Sequence, residues 1–168
     1  MRSANGTRHR SGGPLRAWGV CLAALCLLAG LLCSCRTTPY TPSQRKVEKL
    51  VGLIDSGGVG GVKGLASAPF LLDGEILLRQ SDVDAAWANL KASGFDLGKP
   101  RLASIERVDE TSYKLFAENM EVRSFFKNYL NKDSVLVGLE AASGRYWLIL
   151  NREVKGYPRI QGIRGPLK

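Results

Sequence analysis

Hydrophobic spacing changes character several times along this chain, and each change marks a segment. Residues 17–32 are apolar or small, with no charge among them. After Thr41 the spacing becomes helical: Val47, Leu50, Val51 and Ile54 fall at i, i+3, i+4 and i+7, one face of a helix. Thr41 is placed to cap that helix, Pro42 to open it, and Gln44 to complete a Thr-x-x-Gln capping box; Gly57-Gly58 would stop it. In residues 69–79, PFLLDGEILLR, Asp73-Gly74 lies between two apolar runs, which predicts a two-residue hairpin with positive φ at both turn positions. Residues 81–94 return to helical spacing, with Ser81 as cap, Asp84 at N3, Val83, Ala86, Trp87 and Leu90 on one face, and Gly94 as terminator.

From Lys99 onward the pattern is mostly that of strands. Residues 101–109 alternate loosely, and Asp109-Glu110-Thr111 can turn the chain back into a strand over 112–117. Residues 120–130, MEVRSFFKNYL, suit a helix through Val122, Phe125, Phe126 and Tyr129, with Asn119 as cap; one continuous helix from Ser112 is the alternative. Three strand-like runs follow. Residues 134–141 and 145–151 join through Ala142-Ser143-Gly144, and 157–164 come after Lys155-Gly156. Pro158 puts the last run at a sheet edge, or at its own start. The expected class is α+β: a curved antiparallel sheet packed by N-terminal helices and preceded by a signal or anchor helix. Residues 57–64, GGVGGVKG, lack the Gly-Lys-Ser/Thr ending of a phosphate loop and follow a helix, not a strand, so they read as a connection with a short helical turn near 62–67.

The apolar run at 17–32 has a basic leader, Arg2, Arg8, Arg10 and Arg16, with no acidic residue. That is the layout of an export signal, and the run falls short of the ~20 residues of a spanning helix. All four cysteines (Cys21, Cys26, Cys33, Cys35) lie in it or at its end. The ending Leu32-Cys33-Ser34-Cys35 resembles the processing site of bacterial lipoproteins, with Leu three residues before the acylated thiol and small residues between. The resemblance implies a signal peptide over 1–34, lipidation of Cys35 with a fatty acid such as palmitate, a tether over 35–40 and a single domain over 41–168. It also implies a place in the bacterial cell envelope, on the periplasmic or surface face of a membrane.

Removing that signal changes the chemistry available. Of the 24 Lys and Arg, four precede Cys35, so the net charge falls from +9 to +5. The remaining charges are scattered, without the basic runs or aromatic interleaving of nucleic-acid binders, and no nucleic-acid partner is expected. The sole histidine, His9, goes with the leader. With no thiol or imidazole left, Cys–His hydrolysis and zinc sites are excluded on composition, and no metal, cofactor or catalytic residue is assigned. Ser–Lys and carboxylate chemistry stay open. Aromatic residues crowd the second half, and Tyr113, Phe116, Phe125, Tyr146 and Trp147 could line a pocket with Glu106, Glu140 or Arg152 as polar contacts. Tyr146 and Trp147 are adjacent on one strand, so only one of them can face such a pocket.

A second resemblance rests on residues 47–57 (VEKLVGLIDSG), Gly64-Leu65-Ala66 and residues 70–76 (FLLDGEI). In this order they resemble the opening of the nuclear-transport-factor-2-like superfamily, which includes the SnoaL-like proteins and ketosteroid isomerases. The resemblance implies a cystatin-like cone with a pocket between sheet and helices; the helix at 120–130 departs from it by interrupting the strands. The expected function is a non-enzymatic, membrane-anchored envelope lipoprotein that binds a small apolar ligand or a protein partner. The alternative is a pocket-carboxylate enzyme of isomerase or hydrolase type on the same fold.

Overall fold

Two strands in the middle of the domain have no polar face. Residues 135–139 are buried at five successive positions, and so are residues 146–150. Strand side chains alternate between the faces of a sheet, so an unbroken buried run requires cover on both sides. In the computed structural model of this chain, residues 40–56 and 59–167 are described. The leader, Cys33, Cys35, residues 36–39 of the tether and Gly57-Gly58 lie outside the described residues.

The described elements are α1 (Gln44–Ser56), a single helical turn α2 (Val59–Val62), β1 (Ala66–Leu72), β2 (Glu75–Leu77), α3 (Gln80–Ala92), β3 (Arg101–Arg107), a 3-10 turn (Ser112–Leu115), α4 (Met120–Tyr129), β4 (Val135–Ala141), β5 (Gly144–Val154) and β6 (Tyr157–Leu167). The strands form one six-stranded sheet in the order β2-β1-β6-β5-β4-β3, open and not closed into a barrel. The α+β class is as expected, but the sheet is mixed: β1 runs parallel to β6, and every other neighbour is antiparallel. The cause is topological. The last strand inserts between the first hairpin and β5, so β6 lies inside the sheet and Pro158 marks its start, not an edge.

The helices divide between the two faces. On one, Val47, Leu50 and Ile54 of α1 and Val83 and Trp87 of α3 pack on Val137, Leu139, Tyr146 and Leu148. On the other, Val122, Phe125 and Phe126 of α4 pack with Phe116 on Leu71, Leu136, Trp147 and Ile149. The helix, turn and Asp-Gly hairpin behind the second resemblance are present; the parallel join and the cover on both faces depart from a cone packed by N-terminal helices.

Local chemistry explains where elements begin. α1 starts at Gln44, not at Thr41: the Ser43 carbonyl accepts from the amides of Lys46 and Val47, and the Gln44 side chain reaches forward to Glu48 at 2.7 Å. α3 starts one residue earlier than Ser81. The Gln80 amide is used on the sheet, accepting from Ala68 N–H and donating to the Ala66 carbonyl, both at 3.1 Å. Gly94 closes α3 as expected, with Phe95 N–H donating to the Leu90 carbonyl and Gly94 N–H to that of Lys91. The Asp73-Gly74 turn has φ of 48° and 103°, the primed hairpin its sequence predicts.

Residues 112–117 are neither strand nor part of one long helix. Asp109 Oδ1 accepts from the amides of Thr111 and Ser112, both at 2.8 Å, which winds a turn there. Asn119 Oδ1 then caps α4 separately through Val122 N–H at 2.8 Å. In β3, Leu102 and Ile105 both face the first core although three residues apart, because the pairing with β4 slips between Leu102 and Ser104.

Gly162 of β6 shows how closely this sheet is filled. A Cβ there would stand 2.9 Å from Ile149 Cδ1 and 2.9 Å from the Leu71 carbonyl oxygen. Gly162→Ala should destabilise the domain by about 1–3 kcal/mol through overpacking. Urea unfolding checks this; an unchanged midpoint would show that the sheet accommodates the methyl group.

Candidate functional site

The proposed pocket residues are split by the sheet. Tyr146 belongs to the first core, where its hydroxyl pairs with Ser143 Oγ at 2.9 Å and its ring meets Phe95 edge-on at 6.3 Å. Trp147, Phe116 and Phe125 lie in the second core. Phe126 joins them, 5.6 Å from Phe116 and 6.2 Å from Phe125 by ring centroids. Tyr113 packs at the margin of that cluster. Glu106 is exposed on the edge strand β3, opposite Leu136. Tyr113, Phe116, Phe125 and Trp147 thus share one side; Tyr146 is on the other and Glu106 is in solvent. Glu140 pairs with Arg145 at 2.9 Å, with both side chains more than half exposed, so the pair contributes little.

The open surface of this side lies along the two flanks of α4. Helical spacing puts Val122, Phe125 and Phe126 into the sheet and leaves Arg123 and Lys127 on one flank, Glu121, Ser124 and Asn128 on the other. The first flank borders a polar groove of about 480 Å³, lined also by Asp109, Glu110 and Tyr113. There the Arg123 guanidinium sits over the Tyr113 ring, 5.8 Å from its centroid, a cation–π contact. Asp109 is committed to its turn, and the bond from Thr111 N–H leads the contacts that hold its carboxyl below the ordinary range.

The second flank borders an apolar groove of about 460 Å³ shared with Ile76 and Leu78 next to the edge strand β2. Leu78 (64% exposed), Met120 (71%) and Tyr129 (43%) line it, and they are the exposed large hydrophobics among the described residues. The sequence signal for them was available: Leu78 ends an apolar run and Met120 opens an amphipathic helix. What the sequence did not give was that both lie beside the same helix flank.

Residue 40, the end of the expected tether, is docked. Tyr40 N–H donates to Asp133 Oδ1 at 3.0 Å, and its hydroxyl donates to Glu153 Oε1 at 3.1 Å. Lys46 Nζ binds the same Glu153 at 2.6 Å, and Arg152 Nε binds Asp133 Oδ2 at 2.7 Å. Arg152 is therefore a partner of this clasp and not of an aromatic pocket. The Tyr40 amide is the leading cause holding the Asp133 carboxyl below its ordinary range. The bond from Lys46 does the same for Glu153. Burial, then the Glu153 carboxylate, pushes the Tyr40 phenol well above its usual value.

Ser-x-x-Lys spacing occurs at Ser43–Lys46 and Ser124–Lys127, and neither makes a nucleophile–base pair. Lys46 is held by Glu153, while Ser124 and Lys127 line different grooves. Among the described residues no three His, Cys, Asp or Glu side chains gather as metal ligands. No described helix is long and apolar enough to cross a membrane.

The clasp predicts a stability profile with two limbs. Asp133 and Glu153 have depressed pKa values in the folded state. Their contribution is therefore present above the unfolded values of about 4 and is lost as pH falls through the folded ones. Asp133→Asn and Glu153→Gln should destabilise the domain at neutral pH and flatten its acid limb in urea unfolding. The Tyr40 phenol has the opposite sign: its contribution is full below the unfolded value of about 10 and is lost as pH rises through the raised folded one. Tyr40→Phe should remove that alkaline limb and leave the acid limb; an alkaline limb unchanged in Tyr40→Phe would show that the phenol is not its source.

No family model, curated protein or solved structure matches this chain.

Proposed function

We propose that this chain is an envelope lipoprotein held to a bilayer through Cys35, and that its domain works by binding a protein partner or an apolar ligand and not by catalysis. The observation that carries the binding reading is the surface around α4, where the exposed large hydrophobics among the described residues converge on one groove. A clustered apolar patch is the mark of a contact surface, whereas hydrophobics scattered singly are ordinary. The packing of both sheet faces supports the same reading, because the aromatic residues are spent on cores. The polar flank of α4, with Arg123 and Lys127, suits a partner protein. The anchoring half of the reading is supported by Leu32-Cys33-Ser34-Cys35 behind its basic, apolar leader.

The alternative, a pocket-carboxylate enzyme of isomerase or hydrolase type, draws its support from the polar groove, which Glu110 and Tyr113 both line. Asp109 is engaged by its turn, so Glu110 is the carboxylate such chemistry would use.

Cys35→Ser tests the anchor. In bacteria fed labelled palmitate, the substitution should abolish label on the chain and move it out of the membrane fraction. Retained label would place the lipid on Cys33, and membrane retention without label would make the segment a plain anchor.

A further inference from the structure

One end of the apolar groove, at Tyr129, lies close to the root of the tether, although 89 residues separate Tyr40 from Tyr129 in sequence. Tyr40 N–H is held by Asp133, which follows Tyr129, a lining residue of the groove, by four residues. Four links span at most about 14 Å. From Cys35 to Tyr40 there are five links, a reach of at most about 17 Å. A lipid on Cys35 would therefore hold the bilayer within reach of the C-terminal end of α4, where Tyr129 lies. The other sheet edge, β3, is also close to the tether root, since Arg107 pairs with Val135 two residues after Asp133. That edge exposes Arg101, Glu106 and Arg107, groups that stay in water.

We propose that the apolar groove is a second membrane contact: the side of the domain carrying Leu78, Met120 and Tyr129 rests on the bilayer surface beside the lipidated Cys35. Leu78 and Met120 enter the boundary between headgroups and acyl chains. Tyr129 suits the same layer, with an apolar ring and a hydroxyl that stays wet. The proposal rests on the anchoring half of the reading above, adds an orientation to it, and gives the apolar groove to the bilayer in place of a protein partner or small ligand. The contact is apolar in character, because Glu121 is the one charged side chain lining the groove and has no attraction for anionic headgroups. It should therefore survive high salt, unlike a basic patch. It also turns the opposite flank of α4, with Arg123 and Lys127, away from the membrane and toward a partner.

The test uses the full chain, processed and acylated in bacteria and then reconstituted into phosphatidylethanolamine–phosphatidylglycerol vesicles containing spin-labelled phosphatidylcholine. With Cys35 acylated and the leader removed, Met120→Cys offers a single thiol for an environment-sensitive fluorophore, and Arg107→Cys on β3 is the control. Both positions are exposed, and circular dichroism confirms that each variant is folded. The expected result is a blue-shifted emission at position 120, quenched severalfold more by the spin-labelled lipid than at position 107, and unchanged by high salt. Equal quenching at the two positions overturns the proposal while leaving the anchor intact. A blue shift at position 120 without lipid quenching assigns the groove to a second copy or a protein and also overturns it. Failure of the chain to carry fatty acid and float with the vesicles overturns the anchoring reading instead, and the proposal with it.

Discussion

The middle of this sheet cannot face water on either side, and that requirement organises the rest of the domain. β4 and β5 carry apolar side chains toward both faces, so two layers of cover are needed. α1 and α3 supply the first. The second depends on α4 and the 3-10 turn, which bury Phe116, Val122 and Phe125 against Leu71, Leu136 and Ile149. Burying a large apolar side chain contributes about 1.5–3 kcal/mol, so six of them amount to something on the order of 10 kcal/mol as an upper estimate. A typical domain has a net stability of only about 5–15 kcal/mol. α4 is therefore part of the fold and not an appendage, and its two flanks, which become the surface grooves, follow from its place on the second core.

Local features of this fold were legible because their causes are local. The apolar stripe of α1, the Schellman ending of α3 at Gly94, the Asp73-Gly74 turn and the Asn119 cap each depend on residues a few positions apart. The two-sided burial was also written in the sequence: VLVGL and YWLIL are continuous apolar runs, the pattern of strands covered on both faces. Taken as aromatic pocket lining, the same residues suggest a cavity; taken as unbroken runs, they require a sandwiched sheet. What could not be read was long-range. The place of β6 between β1 and β5, and hence the parallel join, depends on pairings about 90 residues apart. The slip that lets Leu102 and Ile105 share a face leaves only a loosened alternation in the sequence.

The candidate surface was less legible than the fold, for the same reason. Leu78, Met120 and Tyr129 come from two distant segments, and only the crossing of α4 past β2 joins them. Helix starts illustrate the point on a smaller scale. Thr41-Pro42-Ser43-Gln44 looks like a capping box, yet Tyr40 is tied to Asp133 and Glu153 and Pro42 is buried, so the chain enters the helix after Ser43. A tertiary contact outweighed a local preference worth about 1 kcal/mol.

Under the proposed anchoring, that contact would also set where the chain leaves the domain. With Tyr40 clasped, five links separate it from Cys35, at most about 17 Å; counted to Gln44 the separation is nine links, about 30 Å. Effective concentration at the membrane falls only as about the −3/2 power of linker length, so the longer tether would dilute the domain roughly twofold. The clasp would therefore do little to keep a lipid-anchored domain near its bilayer. Its larger effect would be angular: the Asp133 that holds Tyr40 lies four residues beyond Tyr129 at the end of α4, so under the proposed anchoring that end of the helix is the part the tether would bring toward the surface.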